Sequence, residues 1–344
     1  MKKKILLVYL GKRGGGARLL GETVTLLLER DVPFVALISS SLDEATKMLC
    51  PRKLRFEIST FTNLAKAVVR TTFLPLRLFS IFFFLRKNNV FKAYFLMPHI
   101  WDLPLLLFFK FLGISVEVLI HDPKPHMGEF FPPKVLMTLE AKLASRTIVL
   151  SEYSRGLMSS KSKNMTLKHL PTPPRLMPPP EKEYEILFIG RAQIYKGLDL
   201  LLEAMTLPQA QGLKLTVISS FSGETPESTD NVQVIDRWIH ESDFEKTIAS
   251  ARIVVLPYRE ASQSGIIPIA FANRIPCVVT PVGALPEMIE HYGCGLVSKS
   301  IDPSDILETI IATLNSHEFS FVNESVVQTV DAYISENDKN RVHG

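Results

Sequence analysis

Short runs of aliphatic and β-branched residues alternate along the chain with longer segments whose apolar positions recur with a helical period. This alternation predicts parallel sheets covered by helices on both faces, with ligand-binding loops at the carboxyl ends of the strands. In the first half, the predicted strands are Ile5–Tyr9, Phe34–Ile38, Leu54–Ile58, Ala93–Met97, Val116–Ile120 and Thr147–Leu150. In the second half, they are Ile186–Ile189, Lys214–Ile218, Val232–Ile235, Ile253–Leu256, Cys277–Val279 and Gly295–Val297.

A proline-rich segment separates the two series of predicted strands. It reads LPTPPRLMPPP, and its six prolines cannot continue a helix or join the middle of a sheet. A chain of 344 residues also exceeds the length that one hydrophobic core usually serves. The sequence therefore predicts an α/β fold of two tandem, doubly wound, Rossmann-like domains that face a cleft, at residues 1–170 and 183–317, joined by a linker at 171–182. Residues 318–344 are predicted to form a helical tail that packs back on the first domain.

Composition argues against several classes of function. The net charge is +4 and basic residues are interleaved with acidic ones, so nucleic-acid binding has little support. The three cysteines lack CxxC spacing and predict buried, reduced thiols rather than disulfides or a zinc site. The apolar runs at 5–10, 73–85 and 103–112 are too short for a signal peptide core or a membrane span. We therefore expect a cytoplasmic protein; its oligomeric state is left open.

The start of the second half combines a strand end, glycines and two basic residues. The predicted strand that ends at Gly190 is followed by Arg191, by Lys196 and Gly197, and by a predicted helix, Leu198–Ala204. Two cations and free backbone amides at the start of a helix suit a diphosphate group. The alternative is an ordinary β–α turn whose Arg191 and Lys196 are solvated, and this motif alone leaves both interpretations open.

A second candidate anion site follows the predicted strand Ile253–Leu256. The sequence there reaches SQSG at residues 262–265 and continues into a predicted helix rich in small residues. The Ser264 hydroxyl and the backbone amides of Ser264, Gly265 and Ile266 would lie at the N-terminus of that helix. Two anion-binding helix starts in one domain favour a nucleotide diphosphate as the ligand.

Three ordered blocks of the second half resemble the retaining, family-4-type glycosyltransferases of the GT-B fold, the type that assembles bacterial polysaccharides and glycans. The blocks are FIGR-x4-KGLD-x-LLEA at 188–204, LPY at 256–258, and PCVVTPVG-x3-E at 276–287. The resemblance implies transfer of a hexose-type sugar from a nucleotide-diphosphate sugar to a glycan or lipid-linked acceptor, with retention of configuration. It also implies that no metal or cofactor takes part, and that the departing diphosphate accepts the acceptor's proton.

The resemblance also assigns roles to residues of the second half. Arg191 and Lys196 are expected to hold the donor diphosphate and to stabilise the charge that grows on it during catalysis. The SQSG segment and the residue after it are expected to contact the donor; these residues are Ser262, Gln263, Ser264, Gly265 and Ile266.

The first half supplies further candidates, all at predicted strand ends. Gly15 and Gly16 lie in a glycine-rich run where backbone can approach the donor closely, although a plain turn is the alternative. His121, Asp122 and His126 follow the predicted strand Val116–Ile120 and could meet a sugar held by the opposite domain. A structural polar cluster is the alternative, and the loop lacks the spacing of a zinc site. By the resemblance, His121 positions the sugar or the charge behind it.

The second half departs from the family's pattern at one place. Two glutamates usually stand eight positions apart, where this chain has Ala261 and Ile269; Glu260 is one place off the first. We therefore expect Glu260, together with Asp122 and His126, on the acceptor or sugar. The departure keeps open a non-catalytic, nucleotide-sugar-binding partner of a glycan assembly complex. A nucleotide-sugar epimerase, which needs a similar diphosphate site, is a further alternative.

Residues 63–88 combine Leu, Val and Phe with five basic residues. This basic, amphipathic composition is compatible with peripheral contact on the inner face of the plasma membrane, which would bring a lipid-linked acceptor to the protein. A core-facing helix of the first domain explains the same composition equally well.

Overall fold

The computed structural model describes residues 2–61, 64–128, 133–158, 164–170, 172–221, 223–316, 319 and 321. They form two parallel sheets, each covered by helices on both faces, which confirms the predicted fold class. The predicted helical tail lies outside the described residues, apart from positions 319 and 321. Phe321 contacts the second domain, where its amide donates to the Gly293 carbonyl at 3.1 Å.

The first domain contains a parallel sheet whose described strands lie in the order β3-β2-β1-β4-β5-β6-β7. The strands are β1 (Lys4–Tyr9), β2 (Phe34–Ser39), β3 (Arg55–Ile58), β4 (Val90–Phe95), β5 (Ser115–Ile120), β6 (Arg146–Val149) and β7 (Met165–Leu167). The helices are α1 (Gly15–Glu29), α2 (Glu44–Leu49), α3 (Leu64–Thr72), α4 (Leu74–Lys87), α5 (Asp102–Phe111), α6 (Lys134–Leu143) and α7 (Glu152–Met158). The strand order reverses beside β1, which places a crevice at the carboxyl ends of β1 and β4.

The second domain repeats this architecture with a described strand order of β10-β9-β8-β11-β12-β13. The strands are β8 (Tyr184–Arg191), β9 (Leu215–Ser220), β10 (Val232–Asp236), β11 (Ala251–Leu256), β12 (Cys277–Val279) and β13 (Gly295–Val297). The helices are α8 (Leu198–Ala204), α9 (Glu241–Ala249), α10 (Ile266–Ala272), α11 (Leu285–Tyr292) and α12 (Pro303–Asn315). The described residues between β7 and β8, which include most of the proline-rich segment, form neither helix nor strand.

Both sheets are buried by apolar side chains on each face, as near-continuous aliphatic strands require. In the first domain, α1 packs on one face of the sheet, whereas α4, α5 and α6 pack on the other. The three cysteines are free and buried, as predicted. A charged residue also lies inside this sheet: Lys92 on β4 pairs with Glu117 on β5 at 2.8 Å, and Glu117 also binds Arg146 on β6. Pairing makes the burial of these charges tolerable.

The two domains contact each other directly around the start of α7. The Ser151 hydroxyl donates to the Ser262 carbonyl at 2.8 Å. The Glu287 carboxylate accepts hydrogen bonds from the backbone amides of Glu152 at 2.7 Å and Tyr153 at 3.1 Å. Carboxylates are favoured at helix N-termini, where backbone amides lack partners within the helix. These contacts hold the carboxyl ends of the two sheets toward a shared cleft.

Candidate functional site

A cleft of about 320 Å³ lies between the two domains. Loops that follow β1, β4 and β5 line it from the first domain, and the ends of β8, β9, β10 and β11 line it from the second. Of the predicted site residues, eleven reach this cleft: Gly15, Gly16, His121, Asp122, His126, Arg191, Lys196, Gln263, Ser264, Gly265 and Ile266. Residues separated by up to about 250 positions in sequence are therefore brought to one site by strand ends alone.

The β8–α8 turn places Arg191 and Lys196 on the second-domain wall of the cleft. Gly197 adopts a left-handed conformation with φ 63°, and a Cβ there would lie 2.0 Å from the Pro257 carbonyl oxygen. Gly190 has φ 130°, and a Cβ there would lie 2.8 Å from Nζ of Lys196. Only glycine fits such backbone conformations without strain. The two glycines therefore let the turn fold back so that both cations line the cleft.

An ion pair fixes the start of α8 behind this turn. Arg259 donates two hydrogen bonds to the Asp199 carboxylate, both at 2.6 Å. The hydrogen bond and charge of Arg259 lower the pKa of Asp199, although burial opposes the shift. The Arg259 amide also donates to the Tyr195 carbonyl at 2.7 Å, so the end of β11 is tied to the turn. Paired guanidinium–carboxylate geometry of this kind adds rigidity as well as charge.

The SQSG segment lies at the start of α10, and its residues divide between the cleft and the domain interface. Gln263, Ser264 and Gly265 line the cleft, whereas Ser262 is buried and its carbonyl accepts the hydrogen bond from Ser151. The segment is held from behind, because the Ala261 carbonyl accepts from the Ala284 amide at 2.9 Å. Ser262 is thus a contact between domains, and the structure does not bring it to the cleft with the four predicted donor residues that follow it, 263–266.

Asp122 and the two histidines enter the cleft from the first domain. His121 is 5% exposed, and its Nδ1 lies 3.4 Å from Nε2 of Gln263 across the cleft. Burial lowers the pKa of His121, while the neighbouring Asp122 carboxylate opposes that shift. His126 lies 3.0 Å from an Asp122 oxygen through its Nε2, and its ring stacks on Tyr195 of the second domain with 4.3 Å between centroids. A neutral His121 can therefore donate or accept a hydrogen bond with a ligand hydroxyl in the cleft.

Two buried polar atoms beside the cleft have no hydrogen-bond partner within the described part of the chain. They are Nε2 of His121 and Oε1 of Gln263. Buried polar groups in folded proteins are nearly always hydrogen-bonded, to protein or to another molecule. Because both side chains line the cleft, polar groups of a bound ligand are the partners that suit them.

Glu260 does not line the cleft, although it was predicted to contact the acceptor or sugar. Its carboxylate lies 3.2 Å from Nζ of Lys124 and accepts a hydrogen bond from the Met127 amide at 3.2 Å. Both partners belong to the loop that follows β5 in the first domain. Glu260 therefore bridges the domains, and it supports the loop that carries His126 from outside the cleft.

The glycine-rich loop after β1 closes the first-domain side. Gly14 has φ 88°, and α1 begins directly after it. A Cβ on Gly16 would lie 2.4 Å from Cγ of Met97, so only glycine allows this close packing against the loop after β4. Apart from its chain neighbours and the backbone of its own helix, no described heavy atom lies within 4 Å of a Cβ on Gly15, which leaves backbone open to the cleft. Gly15 and Gly16 thus lie where the sequence predicted, and their contact with a donor stays a prediction.

Comparison with known proteins agrees with this geometry. Residues 183–316 match the family model described as Glycosyl transferases group 1. The matched segment spans the second domain from β8 to α12. An uncharacterized 41.2 kDa protein in the cps region of Klebsiella pneumoniae is 22% identical over 145 residues, which is 42% of this chain and only 39% of the relative's length.

Solved structures resemble the whole chain and show its GT-B fold. HepE from Anabaena, solved in complex with UDP, has a TM-score of 0.67 at 14% identity, with 98% of this chain and 95% of that chain covered. A glycosyltransferase from Rickettsia africae has a TM-score of 0.65 at 15% identity, with 99% and 93% covered. A UDP-GlcNAc 2-epimerase from Methanocaldococcus jannaschii has a TM-score of 0.59 at 12% identity, with 95% and 98% covered.

The second domain contributes cleft residues beyond the predicted site residues. Arg237 and Trp238, which follow β10, line the cleft, and the Arg13 guanidinium lies 4.5 Å from the centre of the Trp238 ring. Arg13 precedes the glycine run of the first domain, so this cation–π contact spans the two domains. On the first-domain wall, Arg18 pairs with Glu22 at 2.7 Å. In the sequence, the feature that could have pointed to Arg13 is its position directly before the glycine run.

The chemistry of the described residues does not indicate a metal site. No group of three or more His, Cys, Asp or Glu side chains in the described parts of the chain is arranged to hold a metal ion. Asp122 is within hydrogen-bonding distance of His126, and Glu22 is paired with Arg18. Arg191 and Lys196 on the second-domain side of the cleft are cations of the kind that suits a diphosphate.

Proposed function

We propose that this protein is a glycosyltransferase that moves a sugar from a nucleotide-diphosphate sugar to a glycan or lipid-linked acceptor, with retention of configuration. The observation that carries the proposal is the pair Arg191 and Lys196 on the wall of a cleft between two Rossmann-like domains, opposite His121. A group 1 domain supplies the two cations, and HepE, a protein with the same fold, was solved with UDP. The donor diphosphate would lie against the cations, and its sugar would point toward His121.

The electrostatic part of the reaction falls to Arg191 and Lys196. When the glycosidic bond to the diphosphate breaks, negative charge grows on the leaving group, and fixed cations in a closed cleft stabilise it. Together such groups contribute on the order of several kcal/mol to the barrier. Because the two side chains can provide this charge, we propose that the reaction proceeds without a metal ion or cofactor.

The sugar and the acceptor would meet on the first-domain side. His121, neutral because burial lowers its pKa, would bind a sugar hydroxyl together with Gln263. Asp122 and His126 would contact the sugar or the acceptor. The resemblance to retaining enzymes supports proton transfer from the acceptor to the departing diphosphate, so His121 acts by position rather than as an obligatory base.

We propose a role in surface polysaccharide synthesis, at the cytoplasmic side of the membrane. The similarity to a protein encoded in the cps region of Klebsiella pneumoniae supports this role. WaaB, a lipopolysaccharide outer core galactosyltransferase, shares the fold at a TM-score of 0.63 and 13% identity, with 98% of this chain and 97% of that chain covered. The nucleotide, the sugar and the linkage are left to experiment.

The test is a panel of UDP-, GDP- and ADP-sugars, with thermal stability as the first readout and release of nucleoside diphosphate in the presence of acceptor as the second. A ligand that binds the native state raises the unfolding temperature. We expect one nucleotide to stabilise the protein, and Lys196→Ala to abolish both the shift and the release. Lys299→Ala, which removes a lysine 77% exposed in its side chain, is the matched control. No response to any donor would overturn the proposal.

Two alternatives give different results in the same assays. The departure at Ala261 and Ile269, both buried, motivates a non-catalytic nucleotide-sugar-binding partner. Such a protein would be stabilised by a nucleotide sugar but would release no nucleoside diphosphate with any acceptor extract. The fold shared with the UDP-GlcNAc 2-epimerase motivates an epimerase, which would change the configuration of the donor sugar in the absence of acceptor. Chromatography of the recovered donor distinguishes these outcomes from transfer.

A further inference from the structure

Helices α3 and α4 leave a band of large apolar side chains exposed on the first domain. Six of them are between 55% and 71% exposed: Val68, Val69, Phe73, Leu76, Phe79 and Phe83. We refer to these six residues as the α3–α4 surface. Single exposed apolar residues are normal in proteins, whereas a group this large on two consecutive helices marks a surface that contacts another protein or a membrane.

The opposite face of the same helices belongs to the core. Leu74, Ile81 and Leu85 of α4 are at most 4% exposed and pack in the apolar cluster that covers the first sheet. No single helix among the described residues has the length and apolar content to span a membrane; α3 and α4 reach both only as a pair bent by 59°. Because α4 is packed along the sheet, the α3–α4 surface can meet a membrane only as a peripheral face.

The charge around this surface has one sign. The sequence has no acidic residue between Glu57 and Asp102. The two helices carry five basic residues: Lys66, Arg70, Arg77, Arg86 and Lys87. Basic residues beside exposed aromatic and aliphatic side chains are the combination that binds an anionic bilayer, since each group contacts a different layer of the interface.

We propose that the α3–α4 surface binds the headgroup region of an anionic lipid bilayer. Phe73, Leu76 and Phe79 would enter the interface between headgroups and acyl chains, while the basic side chains contact lipid phosphates. A second copy of this chain fits the surface less well. In a symmetric dimer the same patch meets itself, so the basic residues of the two copies would face each other without acidic partners from these helices.

The α3–α4 surface is connected to the cleft through the loop that follows β4. Nε1 of Trp101 donates to Oγ1 of Thr71 at 2.8 Å, which ties the end of α3 to the loop after β4. The same loop carries Met97, which lines the cleft. Membrane contact through α3 and α4 would therefore hold the first-domain side of the cleft beside the bilayer. Lipid binding itself does not depend on the proposed glycosyltransferase activity, whereas delivery of a lipid-linked acceptor does.

The experiment is co-sedimentation of the full chain with vesicles of phosphatidylcholine alone and of phosphatidylcholine with about 30% phosphatidylglycerol. We expect strong binding to the anionic vesicles only, weakened when NaCl rises from about 0.1 M to about 0.5 M, because salt screens charge. Leu76→Glu and Phe79→Glu are each expected to weaken binding at least about tenfold. Met48→Glu is the matched control: Met48 is 79% exposed on α2, which packs with α1 away from α4, and its binding should change less than about twofold.

Three results would overturn the proposal. One is that the wild type binds neither kind of vesicle. Another is that Met48→Glu weakens binding as much as Leu76→Glu does. A third is that light scattering shows a wild-type dimer that Leu76→Glu converts to a monomer, without vesicle binding by either.

Circular dichroism checks that the variants fold, and the charge variant Arg86→Glu with Lys87→Glu tests the same surface without altering its apolar residues. Nucleotide binding, measured on the same variants, should stay unchanged whether or not the cleft transfers sugar.

Discussion

Nδ1 of His121 lies 3.4 Å from Nε2 of Gln263, and this contact joins the two walls of the cleft. His121 follows β5 of the first domain, whereas Gln263 precedes α10 of the second. Each side chain has a further buried polar atom without a protein partner in the described residues, Nε2 of the histidine and Oε1 of the glutamine. A ligand that enters between the domains can therefore bind both side chains at once.

The first prediction concerns this pair. His121→Ala removes the imidazole that we propose positions the sugar, and we expect kcat to fall about 10²-fold, with a smaller change in KM for the donor. Gln263→Ala should lower kcat by about tenfold. His240→Ala, at a position outside the cleft's lining, is the control and should leave both constants unchanged. Equal losses in the control variant, or a His121→Ala enzyme with full kcat, would contradict the assignment.

The second prediction concerns the conformation of the β8–α8 turn. Gly197→Ala puts a Cβ 2.0 Å from the Pro257 carbonyl oxygen at a residue with φ 63°, so the backbone must move. We expect a loss of about 2–4 kcal/mol in the free energy of unfolding, together with a loss of nucleotide binding. Gly156→Ala is the matched control, because Gly156 lies in α7 with no positive φ and open space around its Cβ. Denaturant unfolding of both variants measures the difference.

The sequence predicted the fold well because parallel strands buried on both faces are near-continuous apolar runs, and every such run in the second domain became a strand. It placed the start of β4 too late, since Lys92 resembles an exposed charge until its partner Glu117 on β5 is known. It missed β7, Met165–Leu167, because three half-buried residues give no periodic signal.

The site was predictable only where it is local in sequence. Arg191 and Lys196 stand within one β–α turn, and that turn could be recognised from its glycines. Contacts across the cleft, such as Arg13 with Trp238, depend on how two separately folded domains meet, which no local pattern encodes. The same limit applies to Glu260, whose partners Lys124 and Met127 lie in the first domain, and its contact with an acceptor or sugar stays a prediction.

The third prediction is a pH dependence of stability that comes from Glu140 on α6. Burial raises the pKa of this carboxyl to about 8, and its Oε1 has no hydrogen-bond partner in the described residues. Between about pH 4.5 and pH 8 the folded state holds a proton on Glu140 that the unfolded state releases. Stability contributed by the protonated group should therefore fall as pH rises across this window.

Glu140→Gln tests the sign of this effect. The amide cannot ionise, so the variant should lose less stability than the wild type between about pH 5 and pH 8, by an amount on the order of a few kcal/mol. The change is measured as the free energy of unfolding in urea at several pH values. Burial also lowers the pKa of His99 to about 4, so the contribution of His99 to stability rises with pH between about pH 4 and pH 6.5, opposite to that of Glu140. A parallel pH profile for wild type and variant would contradict the role given to Glu140.

The last prediction concerns the carboxylate that joins the domains at α7. Glu287 accepts hydrogen bonds from the amides of Glu152 and Tyr153, so Glu287→Ala leaves both amides without this acceptor and removes a negative charge from a helix N-terminus. We expect faster hydrogen exchange at these two amides and a larger radius of gyration in solution, because the domains separate more readily. Binding of nucleotide to the second domain alone should persist, while KM for the acceptor rises about tenfold or more, since the acceptor must bridge walls that no longer stay together.

Glu290→Ala is the matched control, because Glu290 lies exposed on the same helix, α11, three positions further on. It changes the helix charge equally but contacts neither amide. If exchange at Glu152 and Tyr153 rises as much in the Glu290 variant, the effect belongs to the charge of α11 rather than to the hydrogen bonds. If neither variant alters exchange or scattering, the hydrogen bonds of Ser151 to Ser262 and of Lys124 and Met127 to Glu260 are sufficient to hold the cleft closed.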